Sequence, residues 1–198
     1  MHLVYLGSYR IGTLDSKMTK TPFRQDGTLS NMNDSNAFFT ERLTMRQINI
    51  ELDSLQDYLK WMRDIESNPF IVSVHPTYSM EELLEYVNTK NSREDVLLFG
   101  IFLSSSGILI GTIKLEPINR NTCEAWLGVL IGNTDLRHLG YGTESIKGIL
   151  RYSKEILRLK KIFLGVDLAN KVALSAYRKI GFSIEMSKEN QITMSIRL

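Results

Sequence analysis

The chain reads as a mixed α/β (α+β) domain, a mostly antiparallel sheet of about seven strands flanked by about four helices. Three observations carry that reading. Three strand-like runs follow one another with only short turns between them, two amphipathic segments precede them, and a glycine loop, a helix and an apolar strand come after. At 198 residues the chain is long enough for one well-packed core. A composition of 43% hydrophobic and 23% charged residues is that of an ordinary globular protein, so class alone does not separate functions. The formal net charge of +2 is too small to argue for a nucleic acid or an anionic membrane as partner.

Cys123 is the single cysteine, which excludes an internal disulfide and any multi-cysteine metal site. The expectation is therefore a cytoplasmic protein without a metal. No run of about 18 apolar residues is present to cross a bilayer. The start MHLVYLGSYRIG also lacks the order of a secretory signal, a basic segment, a long apolar run and a small-residue cleavage site.

Residues 1–37 stand apart from a regular domain expected at 38–198. From Lys17 to Asn36 the sequence is polar, rich in turn formers and without periodicity, which predicts a flexible or surface-draped extension. MHLVYLGSYRI could form a strand or hairpin, and Met32 is an alternative start. FFTERLTMRQI alternates as a first strand, with Leu43 and Met45 on one face. SLQDYLKWMRD sets Leu55, Tyr58, Leu59 and Met62 at i, i+3, i+4 and i+7, a helix capped by Asp53 or Ser54. SMEELLEYV carries the spacing of a capping box, Ser79 and Glu82, ahead of an apolar face of Met80, Leu83, Leu84 and Val87. Two prolines make the intervening SNPFIVSVHPTY a loop.

DVLLFGIFL, ILIGTIKLEPI and TCEAWLGVLIG are then expected as an antiparallel meander, joined by SSSG and NRN. The helix TESIKGILRYSKEILRL buries Ile146, Ile149, Leu150, Ser153 and Leu157, and Lys160 and Lys161 at its end suit the negative pole of its dipole. KIFLGVDL is nearly continuous in apolar residues, as in a strand covered on both faces. Asn170 caps a last helix whose inward stripe is Ala173, Ala176, Tyr177 and Ile180. Gly181 stops it, and FSIEM and QITMSIRL close the chain as a hairpin.

The stretch RHLGYGTES, residues 137–145, holds the clearest chemistry. Gly140 and Gly142 could serve only a turn and close helix packing. The crossover through this helix, however, makes its flanking strands parallel and sets the loop at the carboxyl edge of the sheet, where ligands of open α/β units bind. There the N–H groups from about Leu139 to Thr143 can close around a phosphate. A dinucleotide fingerprint would need a third glycine where Ser145 stands, and a P-loop would need Gly-Lys-Ser or Gly-Lys-Thr. Neither fits.

Arg137, Gly140 and Gly142 match the pattern Arg/Gln-x-x-Gly-x-Gly/Ala, and NKVALSAYRKIGF matches Asn-x-x-Ala-x-x-x-Tyr-x-x-x-Gly-Phe. With the element order from about Thr40 to Leu198, this resembles the Gcn5-related N-acetyltransferase (GNAT) superfamily, in particular the branch of ribosomal-protein N-terminal and aminosugar acetyltransferases. The resemblance implies the GNAT fold with splayed fourth and fifth strands, and acetyl-coenzyme A (acetyl-CoA) as cosubstrate. Its pyrophosphate would lie on Arg137, His138, Leu139, Gly140, Tyr141, Gly142 and Thr143, and its pantetheine along Val129, Leu130 and Ile131. Asn170 would cap its helix and also touch pantetheine.

Acetyl transfer to a primary amine of a small molecule or a protein N-terminus, by direct attack in a ternary complex, is the implied reaction. Tyr177 matches the tyrosine that protonates the departing thiolate, against a plain core aromatic as the other reading. The base is open. Trp126 stands where relatives often carry a glutamate, which leaves Glu124, the weaker Glu116, or water. His75 lies in a loop expected to shape the acceptor pocket, and Glu116, at the end of the third strand, is expected beside it among the substrate-binding residues. Nothing beside Cys123 would activate it as an acetyl carrier. A non-catalytic acyl-CoA-binding or sensory domain on the same scaffold is the alternative function. A monomer or homodimer is expected.

Overall fold

The computed structural model describes residues 37–71 and 73–198, so the extension expected at 1–37 lies, but for Ala37, outside the described residues. The chain order is β1 (Ala37–Phe39), β2 (Leu43–Gln47), α1 (Gln56–Arg63), α2 (Met80–Asn91), β3 (Leu97–Leu103), β4 (Leu109–Asn119) and β5 (Glu124–Ile131), followed by α3 (Tyr141–Glu155), β6 (Lys161–Asp167), α4 (Lys171–Ile180), β7 (Ser183–Lys188) and β8 (Gln191–Arg197). The strands form one sheet in the order β1-β2-β3-β4-β5-β6-β8-β7, and β5 with β6 is its single parallel pair.

Among the described residues there are eight strands where about seven were expected, because FFTERLTMRQI is a hairpin and not one strand. Thr40 N–H closes the turn on the Leu43 carbonyl at 2.9 Å. Thr40 Oγ1 and the Arg42 N–H then both donate to Glu144, at 2.6 and 2.8 Å. A partner about a hundred residues away leaves no trace in local alternation.

α1 buries Leu55, Tyr58, Leu59 and Met62 as its spacing predicts, but its N-cap is Leu55, with no side-chain cap. Asp53 is engaged elsewhere. It pairs with Arg46 at 2.6 Å and accepts the Asn49 N–H at 2.7 Å. α2 has the expected capping box, Ser79 Oγ accepting from Glu82 N–H and the Glu82 carboxylate from Ser79 N–H.

Two cores form, one on each face of the sheet. On one face α3 and α4 cover Phe99, Ile113, Leu115, Ile162 and Leu164. On the other, α1 and α2 cover Leu98, Phe102 and Leu109, residues of β3 and β4 alone. That limited cover corrects the reading of β6 as doubly buried: Ile162, Leu164 and Val166 are buried while Gly165 between them is exposed. α3 ends at Glu155, short of Leu157 and of both lysines expected at its pole; Lys161 instead opens β6 and pairs with Glu185 at 2.9 Å. In α4 the fully buried residue is Leu174, while Ala173, Ala176, Tyr177 and Ile180 are only partly covered. Full burial of a side chain such as Ile149 contributes about 1.5–3 kcal/mol, so these two faces carry most of the stability.

What positions the site is a break in the ladder. β5 pairs with β6 only at Glu124↔Lys161, Ala125↔Ile162 and Trp126↔Phe163, and beyond Trp126 the strands part. β5 keeps its other edge on β4 as far as Ile131. One edge of Val129 to Ile131 is thereby free of a strand partner.

Candidate active site

A cleft of about 1040 Å³ opens where β5 and β6 diverge. Val129, Leu130 and Ile131 form its floor; Asn170, Ala173, Ala176 and Tyr177 form one wall; residues 66–71 form the opposite wall; and the loop at His138, Gly140, Gly142 and Thr143 closes one end. The sequence brings together the floor, the α4 wall and the loop, and it expects the SNPFIVSVHPTY segment, which supplies residues 67–71, to shape the acceptor pocket; of that segment it names only His75, which is off the lining.

The loop is a cradle of backbone. Gly140 is the N-cap of α3 at φ +87° and His138 sits at φ +62°, two left-handed residues that turn the chain sharply into the helix. Glu144 is the first residue whose N–H reaches a backbone acceptor, Gly140 O at 2.9 Å. The N–H groups of Leu139 to Thr143 have none among the described residues, which together with the helix dipole makes a site for an anion. A Cβ at Gly142 would lie 3.5 Å from Ile131 Cγ1, so this glycine is not required by packing. Ser145, at the third-glycine position, is wholly buried and donates to Gly142 O at 2.9 Å.

Behind the loop stands a clamp that the sequence did not announce. Arg42 pairs with Glu144 at 2.7 Å, donates to Leu139 O at 3.1 Å and lies over the Tyr141 ring at 4.3 Å. Burial works to raise the Glu144 pKa, but the bonds from Thr40 and Arg42 outweigh it and hold the carboxyl below its usual range.

Tyr177 lines the cleft with its hydroxyl unbonded among the described residues, and burial pushes its phenol above the ordinary value. Its ring packs on Phe182 at 5.9 Å. Asn170 Oδ1 accepts the Ala173 N–H at 3.1 Å, so the cap is made.

Three expected site residues, Glu124, Glu116 and His75, stand off the cleft lining, whereas Arg137 is on it. The Arg137 guanidinium donates to Ile131 O, Ser67 O and Asn68 Oδ1 at 2.7 to 2.9 Å. Glu124 pairs with Lys161 in the closed end of the β5–β6 ladder. That is five residues, or about 17 Å of strand, from Val129. Glu116 is held by Lys90 at 2.5 Å, Lys114 at 2.9 Å and Arg93 at 3.0 Å. Burial would raise its pKa, and the lysine hydrogen bonds lower it on balance. His75 contacts Thr77 at 3.3 Å and the Tyr78 ring at 4.7 Å, off the cleft lining. Arg137 and Glu116 are partnered in part by residues far away in sequence, which spacing cannot reveal. Glu66 is the one carboxylate on the cleft lining among the described residues. No group of three or more potential metal ligands occurs among them, and none of their helices is long and apolar enough to cross a membrane.

The cleft thus joins backbone N–H groups open to an anion, a strand edge without a partner beyond the splayed parallel pair, and a buried phenol. The chain belongs to the GNAT acetyltransferase family: the acetyltransferase (GNAT) domain matches residues 42–183. The family uses acetyl-CoA as cosubstrate. Among its relatives, the spermidine N(1)-acetyltransferase of Escherichia coli K12 is 33% identical over 75 residues, 38% of this chain and 40% of that protein. The match thus spans less than half the length of that relative. The spermidine N-acetyltransferase of Vibrio cholerae, solved with CoA and spermine, superposes with a TM-score of 0.66 at 26% identity, over 80% of this chain and 96% of the other. A Vibrio cholerae protein provisionally named a ribosomal-protein-serine acetyltransferase reaches a TM-score of 0.70 at 18% identity, over 84% and 100%, and shows the shared fold.

Proposed function

We propose that the chain transfers the acetyl group of acetyl-CoA to a primary amine by direct attack within a ternary complex. The observation that carries this reading is that one cleft holds the unpaired N–H groups of the loop, the free edge of β5 and the Tyr177 hydroxyl. The N–H groups from Leu139 to Thr143 bind the pyrophosphate. The free edge at Val129 to Ile131 bonds the pantetheine amides, and an N–H there stabilises the oxyanion as the amine nitrogen attacks the thioester carbon. The C–N bond forms, the C–S bond breaks, and Tyr177 delivers its proton to the leaving thiolate.

The amine must also lose a proton. Glu116 and Glu124 do not line the cleft, and Glu66 is exposed at its rim, so our reading sends that proton to water. Binding both reactants in one cleft supplies most of the rate through positioning. Polyamines are the first acceptors to try, since two relatives above are named for spermidine; aminosugars and protein N-termini follow.

Release of CoA thiol from acetyl-CoA, measured against spermidine, glucosamine 6-phosphate and an N-terminal peptide, tests the reading. Turnover with any of them supports it. Tight acetyl-CoA binding with no turnover across a broad amine panel would overturn it in favour of an acyl-CoA-binding domain.

A further inference from the structure

Arg137 occupies the first position of the phosphate-loop motif, yet its guanidinium turns away from the loop. Nε donates to Ile131 O at 2.9 Å, Nη1 to Ser67 O at 2.7 Å and Nη2 to Asn68 Oδ1 at 2.7 Å. The last two partners are about seventy residues earlier, in the segment after α1. Asn68 is only 5% exposed and passes the connection on, its Nδ2 donating to Trp61 O and Asp64 O at 3.1 Å each. The guanidinium therefore joins three pieces at one point: the end of the cleft floor, the wall at residues 66–71, and the end of α1.

The wall needs such a fastening. Its other hydrogen bonds are internal or run to the chain just before and after it: Ser67 N–H to Asp64 Oδ1, Asn68 N–H to Asp64 O, Ile71 N–H to Asn68 O, and Val74 N–H to Ile71 O. α1 itself is seated independently, because Trp61 packs directly on Gly132, where a Cβ would come within 1.9 Å of the ring. Removing Arg137 would leave the helix in place and free the wall. The fork matters as much as the charge, since a lysine ammonium cannot hold three acceptors spread over two segments in one plane.

We infer that Arg137 is a positioning residue for the acceptor: it fixes the wall of residues 66–71 to the floor at Ile131 and so sets where the amine stands relative to the thioester. This rests on the transferase reading for its kinetic consequence, and on the contacts alone for its structural one. The opposing assignment is direct contact with the pyrophosphate.

The test uses Arg137→Ala and Arg137→Lys in the full chain, with three readouts: acetyl-CoA affinity by calorimetry, KM for the best amine of the panel above, and amide hydrogen exchange. We expect acetyl-CoA affinity within about threefold of wild type in both variants. The amine KM should rise at least tenfold in both, with lysine failing to rescue, and exchange should accelerate at residues 67–71 but not in α3. A tenfold or greater loss of acetyl-CoA affinity in Arg137→Ala, partly restored by lysine, with unchanged exchange at 67–71, would overturn the assignment and return Arg137 to the phosphate. Should the wild type turn over no amine, the transferase reading fails, while affinity and exchange still decide the role of Arg137.

Discussion

The phosphate loop and the wall at residues 66–71 face the same cleft and are held by different means. The loop is shaped by its own backbone: left-handed Gly140 and His138, an N-terminal turn of helix, and a buried Ser145 reaching back to Gly142. The wall is bonded from a distant segment by one side chain, Arg137. On the function proposed above, the backbone cradle grips what every acyl-CoA shares, its phosphates. A wall hung on a side chain can be reshaped by a few substitutions without disturbing the cradle, which suits the half of the site that must recognise a particular acceptor.

Tyr177→Phe gives the largest break on the cofactor side. The ring that packs on Phe182 is kept and its proton is lost, so kcat should fall about 10²- to 10⁴-fold with acetyl-CoA affinity nearly unchanged. Near-full kcat under conditions where chemistry limits the rate would return Tyr177 to the core. Its phenol is raised by burial, so the donor stays protonated at every pH below its elevated pKa, and no alkaline loss of activity should begin before about pH 10.

The acceptor side should show itself in the same pH series. With water taking the amine proton, kcat/KM for an alkylamine should rise about tenfold per pH unit below the amine's own pKa, near 10.4 for a lysine-like group. An N-terminal amine, near 7.7–8.0, should level off some two units earlier. An inflection at one pH for both acceptors would reveal an enzyme base and defeat this account.

Gly142→Val sharpens the loop's half of the comparison. Its Cβ has room beside Ile131, so the variant should fold, while its methyl groups crowd the anion site. We expect the acetyl-CoA dissociation constant to rise at least about tenfold, roughly 1.4 kcal/mol. Calorimetry showing wild-type affinity would remove the phosphates from this loop.

The smallest effect is on stability, through Glu144. Its folded pKa lies below the ordinary 4.5, so its contribution is complete above that value and is lost as pH falls through the lowered one. Glu144→Gln should lower Tm at pH 7 by roughly 3–12 °C, taking about 1.5–3 kcal/mol for charged hydrogen bonds and about 2–4 °C per kcal/mol. The gap between variant and wild type should narrow below pH 4.5. A gap that stays constant down to pH 3 would show that the carboxylate's charge is not what the clamp uses.

Local patterns gave away the parts of the molecule that local forces build. The capping box at Ser79, the cap at Asn170, the stop at Gly181 and the meander all follow from interactions within a few residues, and each was readable. The cradle was readable for the same reason. Long-range partners were not: Asp53 looks like a cap until Arg46 takes it, and Glu116 looks available until Lys90 and Arg93 of another segment surround it. Arg137 is the instructive case, since its motif position is next to the loop while its guanidinium bonds Ile131 O, Ser67 O and Asn68 Oδ1, two of them about seventy residues earlier. In α4 the expected inward stripe is met in part: Ala173, Tyr177 and Ile180 pack on the core, Ala173, Ala176 and Tyr177 also line the cleft, and Leu174, outside the stripe, is the buried residue.

The Arg42–Glu144 clamp also dictates an order of assembly. It closes a loop of 102 residues, at a chain-entropy cost of roughly 4 kcal/mol that only the intervening strands can offset in advance. A chain leaving the ribosome can zip β2 to β3 and β3 to β4 while Glu144 has yet to emerge. The turn at Thr40 then waits, half made, for a helix that does not exist. In pulse-labelled refolding the Arg42 amide, whose acceptor is Glu144 Oε1, should therefore gain protection after the amides of β3 and β4. The cofactor cradle is thus among the last parts to lock, and a chain able to hold acetyl-CoA is one whose first strands and central helix have already found each other.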